Sequence, residues 1–345
     1  MSPDLFQQIE SSGGRVNLSA RAKFRLTGGD RVRYLNGQVT NDVRPASPRQ
    51  TIYACVTDLK GRIVGDVFVH SGGDSLLLDA EADLREVLGP RLERYIIADD
   101  VIIPSQLRDH YSEKIAYLPW YQCNDAEANA PTGAPTREAC GLPKDAFVFC
   151  SFNNSYKITP HMFELWMRIL RRVPKSVLWL YAANPTAARN LTESARERGI
   201  APDRLIFAER VSREAHLARQ ACADLILDTF PYNGGATSSN ALRAGVPVLT
   251  RTGEAFAARM GASLLSALGL HELIAESDEA FENVAVEMAT NPAAHLAVKA
   301  KLANVGSQPL FSASAAAQNL EMAYEEAVAR SRGGDAPANI AVSRS

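Results

Sequence analysis

Paired cysteines are missing from this sequence: the five it has, Cys55, Cys123, Cys140, Cys150 and Cys222, are odd in number, scattered and form no CxxC. That excludes a disulfide framework and a zinc knuckle, and it points to a reducing compartment. An excess of charge is missing as well. The formal net charge of −2 leaves no chain-wide electrostatic footprint for nucleic acid or anionic membrane, although local basic clusters such as Arg171 and Arg172 occur. No stretch approaches the roughly 18 uninterrupted apolar residues of a membrane span, and residues 1–14 lack an apolar signal core. The expectation is a cytoplasmic protein with neither nucleic acid nor membrane as partner.

What is present is ordinary globular material, 345 residues at 46% hydrophobic and 22% charged, enough for two cored domains. Residues 16–103 read as a small α+β unit. Short strands at 23–26, 52–56, 63–69 and 76–78 are separated by turns at 27–30 and 71–74, and a helix follows at 82–94. Residues 122–141, small, polar and proline-bearing, read as a surface linker. Beyond them the period changes. Apolar strands at 147–151, 177–181, 204–207, 225–227 and 246–249 alternate with helices at 160–173, 187–198, 214–220, 239–244 and 254–268, and a helix at 315–329 closes the series. That alternation implies a parallel sheet covered on both faces, a Rossmann-like α/β lobe. Met162, Trp166, Ile169 and Val173 recur at helical spacing and form a core stripe. No internal repeat at solenoid periods is found.

In such a sheet ligands bind beyond the carboxyl ends of the strands, which singles out three segments. After 147–151 come Asn153, Asn154 and Lys157, amides and an ammonium that can neutralise a developing phosphate charge. A lysine alone there is equally a solvated surface residue. After 204–207, His216 and Arg219 share one helical face and can cover a base and reach its edge. After 225–227, Asn233, Gly234 and Gly235 precede a helix whose start offers N–H groups to an anion, a diphosphate by preference. An ordinary strand-to-helix turn is the alternative.

In order and spacing, FVFCSFNNSYKITP (147–160), VPKSVLWL (173–180), DTFPYNGG (228–235), AGVPVLT (244–250) and residues 258–274 resemble the O-GlcNAc transferase (SPINDLY-type) family, over about 95–330. IIADDVIIP (96–104) and YSEKIAYLP (111–119) are similar to that family's interlobe segment. The resemblance implies the C-terminal donor lobe of a GT-B glycosyltransferase. It implies a UDP-sugar donor, typically UDP-GlcNAc, and inverting, metal-independent transfer to protein serine or threonine. Lys157 then matches the lysine on the donor diphosphate, and Asn154 a nearby position that is glutamine in animal members. Val211 matches backbone contacts to uracil, with His216 and Arg219 around the base and Arg213 where a lysine stacks on it. Thr237 matches a diphosphate-binding threonine, beside Asn233, Gly234, Gly235 and Ala236. The family commonly has histidine and threonine where this chain has Gly235 and Ala236, and aspartate where it has Asn240; Arg243 replaces a tryptophan and Trp120 a histidine.

FRLTGGDRVRYLNGQVTNDV (24–43) and VTDLKGRIVGDVFVH (56–70) resemble instead the start of the YgfZ and glycine-cleavage T-protein family, over about 16–101. A similar string occurs in both families at residues 95–101, which points to a chimera joined there. The expected division is therefore 1–103 as a partial folate-binding-like unit, 104–141 as interlobe segment and linker, 142–331 as the UDP-sugar lobe and 332–345 as a disordered tail. No cofactor is expected, since the UDP-sugar is a substrate and the Lys-Gly-Cys signature of the YgfZ branch, which would accompany folate, is absent. Partners are the UDP-sugar, a protein acceptor and a separate chain supplying the acceptor lobe. Whether this chain acts alone is left open, against two alternatives: a folate-binding one-carbon or iron-sulfur-maintenance protein, and a non-catalytic nucleotide-binding module.

Overall fold

The computed structural model describes residues 22–26, 31–36, 42–47, 50–57, 63–72, 74–81, 95–111, 113–122, 133–181 and 184–343. The expected turn at 27–30, helix at 82–94 and linker residues 123–132 lie outside them. The chain divides into two compact units, residues 1–96 with 111–114 and 328–338, and residues 97–110 with 115–327 and 339–345.

The first unit carries β1 (Ala22–Leu26), α1 (Arg31–Asn36), β2 (Ile52–Thr57), β3 (Ile63–Ser71) and β4 (Leu76–Ala80). The strands form a sheet in the order β1-β4-β3-β2, every pair antiparallel. Alternation sets its faces: Ala22, Phe24 and Leu26 are buried while Lys23 and Arg25 are exposed, as the period of two requires. Val67, Val69, Leu76 and Leu78 belong to the same core, with Leu35 of α1 and Ala54 and Val56 of β2.

β5 (Tyr95–Ala98) and β6 (Lys114–Tyr117) precede a six-stranded sheet, which lies in the second unit. Its strands are β7 (Phe147–Ser151), β8 (Ser176–Tyr181), β9 (Leu205–Ala208), β10 (Leu225–Leu227), β11 (Val248–Arg251) and β12 (Ile274–Ala275). The spatial order β12-β11-β10-β7-β8-β9 is parallel throughout. The chain therefore winds outward from β7 to β9, returns to β10 on the other side of β7, and winds outward again. The doubly wound lobe expected from the alternation is present, with its topological switch point between β7 and β10.

The connections are α2 (Pro160–Arg172), α3 (Pro185–Glu197), α4 (Arg213–Arg219), α5 (Ala236–Arg243) and α6 (Met260–Ala267), followed by α7 (Asp278–Thr290), α8 (Pro292–Leu302) and α9 (Ala313–Gly333). α2 starts where Thr159 accepts from the Met162 amide at 3.1 Å and Pro160 opens the first turn, a standard N-cap. Met162, Trp166 and Ile169 of its stripe, with Val173 just past its end, are buried in the main core, as the spacing predicts. The chain after residue 331 departs from the expected disordered tail. α9 runs on to Gly333, and β13 (Ile340–Ala341) pairs in parallel with β6, burying Ile340. The reason is local: Asn339 Oδ1 accepts from the Ile115 amide at 2.9 Å and the Val342 amide donates to Tyr117 at 2.9 Å, so this segment completes a sheet edge.

Candidate functional site: the β7/β10 switch point

β10 is followed at once by Asp228, a carboxylate with no solvent exposure just past an apolar strand. Its Oδ1 accepts from the amides of Thr229 (2.8 Å) and Gly234 (2.7 Å) and from Asn153 Nδ2 (3.3 Å), and its Oδ2 accepts from Thr250 Oγ1 (2.8 Å). One side chain thus ties together the segment after β7, the turn after β10 and strand β11. Burial pushes the Asp228 carboxyl up to about 6, opposed by those hydrogen bonds and by the charge of Lys157.

The turn itself, residues 228–235, is fixed from inside. Asn233 is fully buried; its Nδ2 donates to the Thr229 carbonyl at 2.8 Å, and its Oδ1 accepts from the Gly261 amide of α6 at 3.3 Å. Gly234 is compulsory for a spatial reason, since a Cβ there would meet Ser238 Oγ at 2.5 Å and Asn153 and Asp228 oxygens at 3.1 Å. Gly235 is the N-cap of α5, and a glycine has no side chain with which to cap. The first-turn amides of α5 are left for an outside acceptor, at the positive end of the helix dipole.

Lys157 reaches across from the β7 side. Its Nζ donates to the Asn233 carbonyl at 3.0 Å and lies 4.0 Å from the centroid of the Tyr232 ring, which is itself half exposed. Partial burial lowers the Lys157 ammonium's proton affinity and the charge of Asp228 restores part of it. An ammonium, a glycine turn and an open helix start therefore converge beyond the ends of β7 and β10.

The third segment joins through Phe152, the residue after β7. Its ring packs on Trp179 at 4.7 Å and on His216 at 5.0 Å between centroids, with the Arg219 guanidinium 4.9 Å from its centre. Arg219 is buried and donates from Nη1 to the Glu209 carbonyl at 2.7 Å and from Nη2 toward His216 Nδ1 at 2.9 Å. A guanidinium only donates, so Nδ1 is the acceptor and the imidazole proton sits on Nε2. Burial first and Arg219 second push His216 down to about 4, keeping the ring neutral at physiological pH.

Of the residues singled out in the sequence, the structure joins Lys157 to Asn233 and His216 to Arg219. Asn154 is exposed at the start of a short turn. Val211 and Arg213 are exposed around the start of α4. Ala236 and Thr237 form the first turn of α5 and Asn240 lies one turn further on. The side chain of Asn233 is engaged within the turn, so its carbonyl, through Lys157, is the part turned to the site. Asn153, named among the amides after 147–151, serves by holding Asp228; Asp228, Thr250 and Gly261 were not singled out as site residues, and the one signal for them was a lone carboxylate following an apolar strand. A cavity of about 550 Å³ lies elsewhere, at the carboxyl end of α5, lined by Arg243, Gly245, Lys299, Asn304 and Ser307 among others. Among the described residues no helix is long and apolar enough to cross a membrane.

With this geometry in place, the family model for Glycosyl transferase family 41 matches residues 121–320. The chain is 36% identical over 238 residues to the probable UDP-N-acetylglucosamine–peptide N-acetylglucosaminyltransferase SEC of Arabidopsis thaliana, covering 67% of this chain and 24% of that protein. It is 40% identical over 156 residues to the UDP-N-acetylglucosamine–peptide N-acetylglucosaminyltransferase of Caenorhabditis elegans, covering 45% of this chain and 14% of that one. A solved O-GlcNAc transferase mutant of Thermobaculum terrenum superposes with a TM-score of 0.62 at 28% identity, over 69% of this chain and 45% of its own. The chain thus spans a quarter or less of these two curated relatives.

Proposed function

This chain belongs to glycosyl transferase family 41, and from that premise we propose that its lobe holds the UDP end of a UDP-sugar, UDP-GlcNAc by its relatives, at the β7/β10 switch point. The observation that carries the reading is the convergence of Lys157 with the Gly234–Gly235 turn and the uncapped start of α5. These are positive charge and N–H donors already fixed in place, the arrangement that suits a diphosphate. Phe152, His216 and Arg219 make the aromatic and polar wall for the base.

In the proposed reaction a serine or threonine hydroxyl of an acceptor protein attacks the anomeric carbon of the sugar. The bond from that carbon to the β-phosphate oxygen breaks, UDP leaves, and the hydroxyl proton is released to solvent. Lys157 and the helix start stabilise the charge that grows on the leaving phosphate, so the proposed transfer is independent of metal. The acceptor surface belongs to a second lobe, supplied by another chain or by a longer form of this one. We place the protein in the cytoplasm. The matches reported above do not extend the folate-binding resemblance of residues 16–101: the family model begins at residue 121.

Calorimetry of the full chain with UDP tests the reading. Saturable binding is expected, weakened about tenfold or more in Lys157→Ala, the loss of a charge-assisted contact. No heat with millimolar UDP on folded protein would overturn it.

A further inference from the structure

The proposed reaction leaves the buried carboxylate of Asp228 unused. It has no solvent exposure, yet it lies directly under the Gly234 amide and within the field of Lys157. We propose that Asp228 is a proton-uptake site coupled to the donor pocket, so that binding of the nucleotide diphosphate to this lobe draws a proton onto the Asp228 carboxyl. The inference rests on the donor-binding reading above.

Two effects push the same way. A diphosphate at the start of α5 brings negative charge toward a buried carboxylate in a low-dielectric setting, which disfavours the ionised form. The same diphosphate recruits the Lys157 ammonium, whose charge stabilises the Asp228 carboxylate in the free protein. Among the described residues the surroundings offer no replacement. The β7 side supplies the neutral amide of Asn153 besides Lys157, and the turn supplies two backbone amides. β11 supplies the hydroxyl of Thr250, while Arg251 next to it pairs with Asp278 at 3.0 Å and covers the Phe230 ring. α6 supplies Gly261, with no side chain, while Arg259 before it donates to the Val101 and Gly253 carbonyls. α5 presents Ala236, Thr237 and Ser238, all uncharged. The protonated form is easily housed, because the Thr250 hydroxyl can rotate from donating to accepting. Burial already holds the free carboxyl near about 6, so a modest push crosses neutrality.

The test is calorimetry with UDP-N-acetylglucosamine, whose diphosphate diester lacks the ionisation near about pH 6 of a terminal phosphate. Binding is measured at about pH 6.5 in buffers of different ionisation enthalpy, on the full chain and on Asp228→Asn. The expected result is uptake of about half a proton in the parent and none in the variant, from the linkage between binding and titration. Binding without uptake, or equal uptake in Asp228→Asn, would overturn the inference. If UDP-N-acetylglucosamine does not bind at all, the donor reading fails, and a ligand-free measurement decides the coupling. Carboxyl carbon NMR should then show Asp228 titrating near about 6 and moving upward in Lys157→Met. A midpoint in the ordinary carboxylate range, or one unmoved by that substitution, refutes the coupling.

Discussion

Asp228 and Lys157 face opposite demands, since one is an anion kept from water and the other a cation half kept from it, each supporting the other's charge. For Asp228 the consequence for stability has a definite sign. Its folded value of about 6 lies above the ordinary 3.8, so between those values the folded state binds more protons than the unfolded one. Stability from this group is therefore present at low pH and lost as pH rises through about 6. Asp228→Asn, which keeps the shape and loses the charge, is expected to raise the melting temperature at pH 7.5, by a stabilisation on the order of 1–3 kcal/mol. The gain should vanish near pH 4, where the parent is itself neutral, and thermal unfolding across that range checks it. His216 has the opposite slope: held near about 4, it resists protonation that the unfolded chain accepts near 6.5, so its contribution falls on acidification. His216→Gln is expected to flatten the acid loss of stability between about pH 6.5 and 4, read in the same scans. Lys157, His216 and Arg219 were legible because an ammonium or a basic pair after a strand states its own use. Asp228 was not, because a carboxylate has the wrong charge for a phosphate site and its role appears only once Asn153, Gly234 and Thr250 surround it.

The site is built at element scale from two glycines that serve space rather than unusual backbone angles. Gly234 admits Ser238, Asn153 and Asp228, and Gly261 admits the Thr250 and Asp228 side chains against α6. Gly261→Ala would press a methyl into that buried pair, an overpacking expected to destabilise by about 1–3 kcal/mol, measurable by urea unfolding. It should also weaken UDP binding through the displaced turn. The first glycine was evident from the string Asn233-Gly234-Gly235, whereas the second was read as part of a helix at 254–268. That helix in fact begins at Met260, after a short turn at Phe256–Ala258. The strand-helix alternation was readable because buried parallel strands are apolar runs and the helices between them carry a 3.6-residue stripe. β12 is two residues long, too short for any period, and α7 and α8 show their starts only in Ser277 and in Asn291 before Pro292.

The whole molecule joins a family 41 α/β lobe to an antiparallel β unit that lies outside the family match at 121–320. The parallel sheet was written in the chain's periodicity. The closing strand β13 was not, since residues 332–345 read as a disordered tail until Asn339 and Ile340 meet β6. On the proposed reading this lobe binds donor without completing chemistry, because transfer needs an acceptor oriented against the sugar. The full chain incubated with radiolabelled UDP-GlcNAc and a serine-rich peptide is therefore expected to bind donor and transfer no label, and incorporation would show an acceptor surface within these residues. The central claim is where the nucleotide sits, and hydrogen exchange of the full chain with and without saturating UDP tests it most directly. Protection is predicted in three segments, 152–158, 209–219 and 228–240; protection confined to residues 299–307 around the other cavity, with those three unchanged, would contradict it.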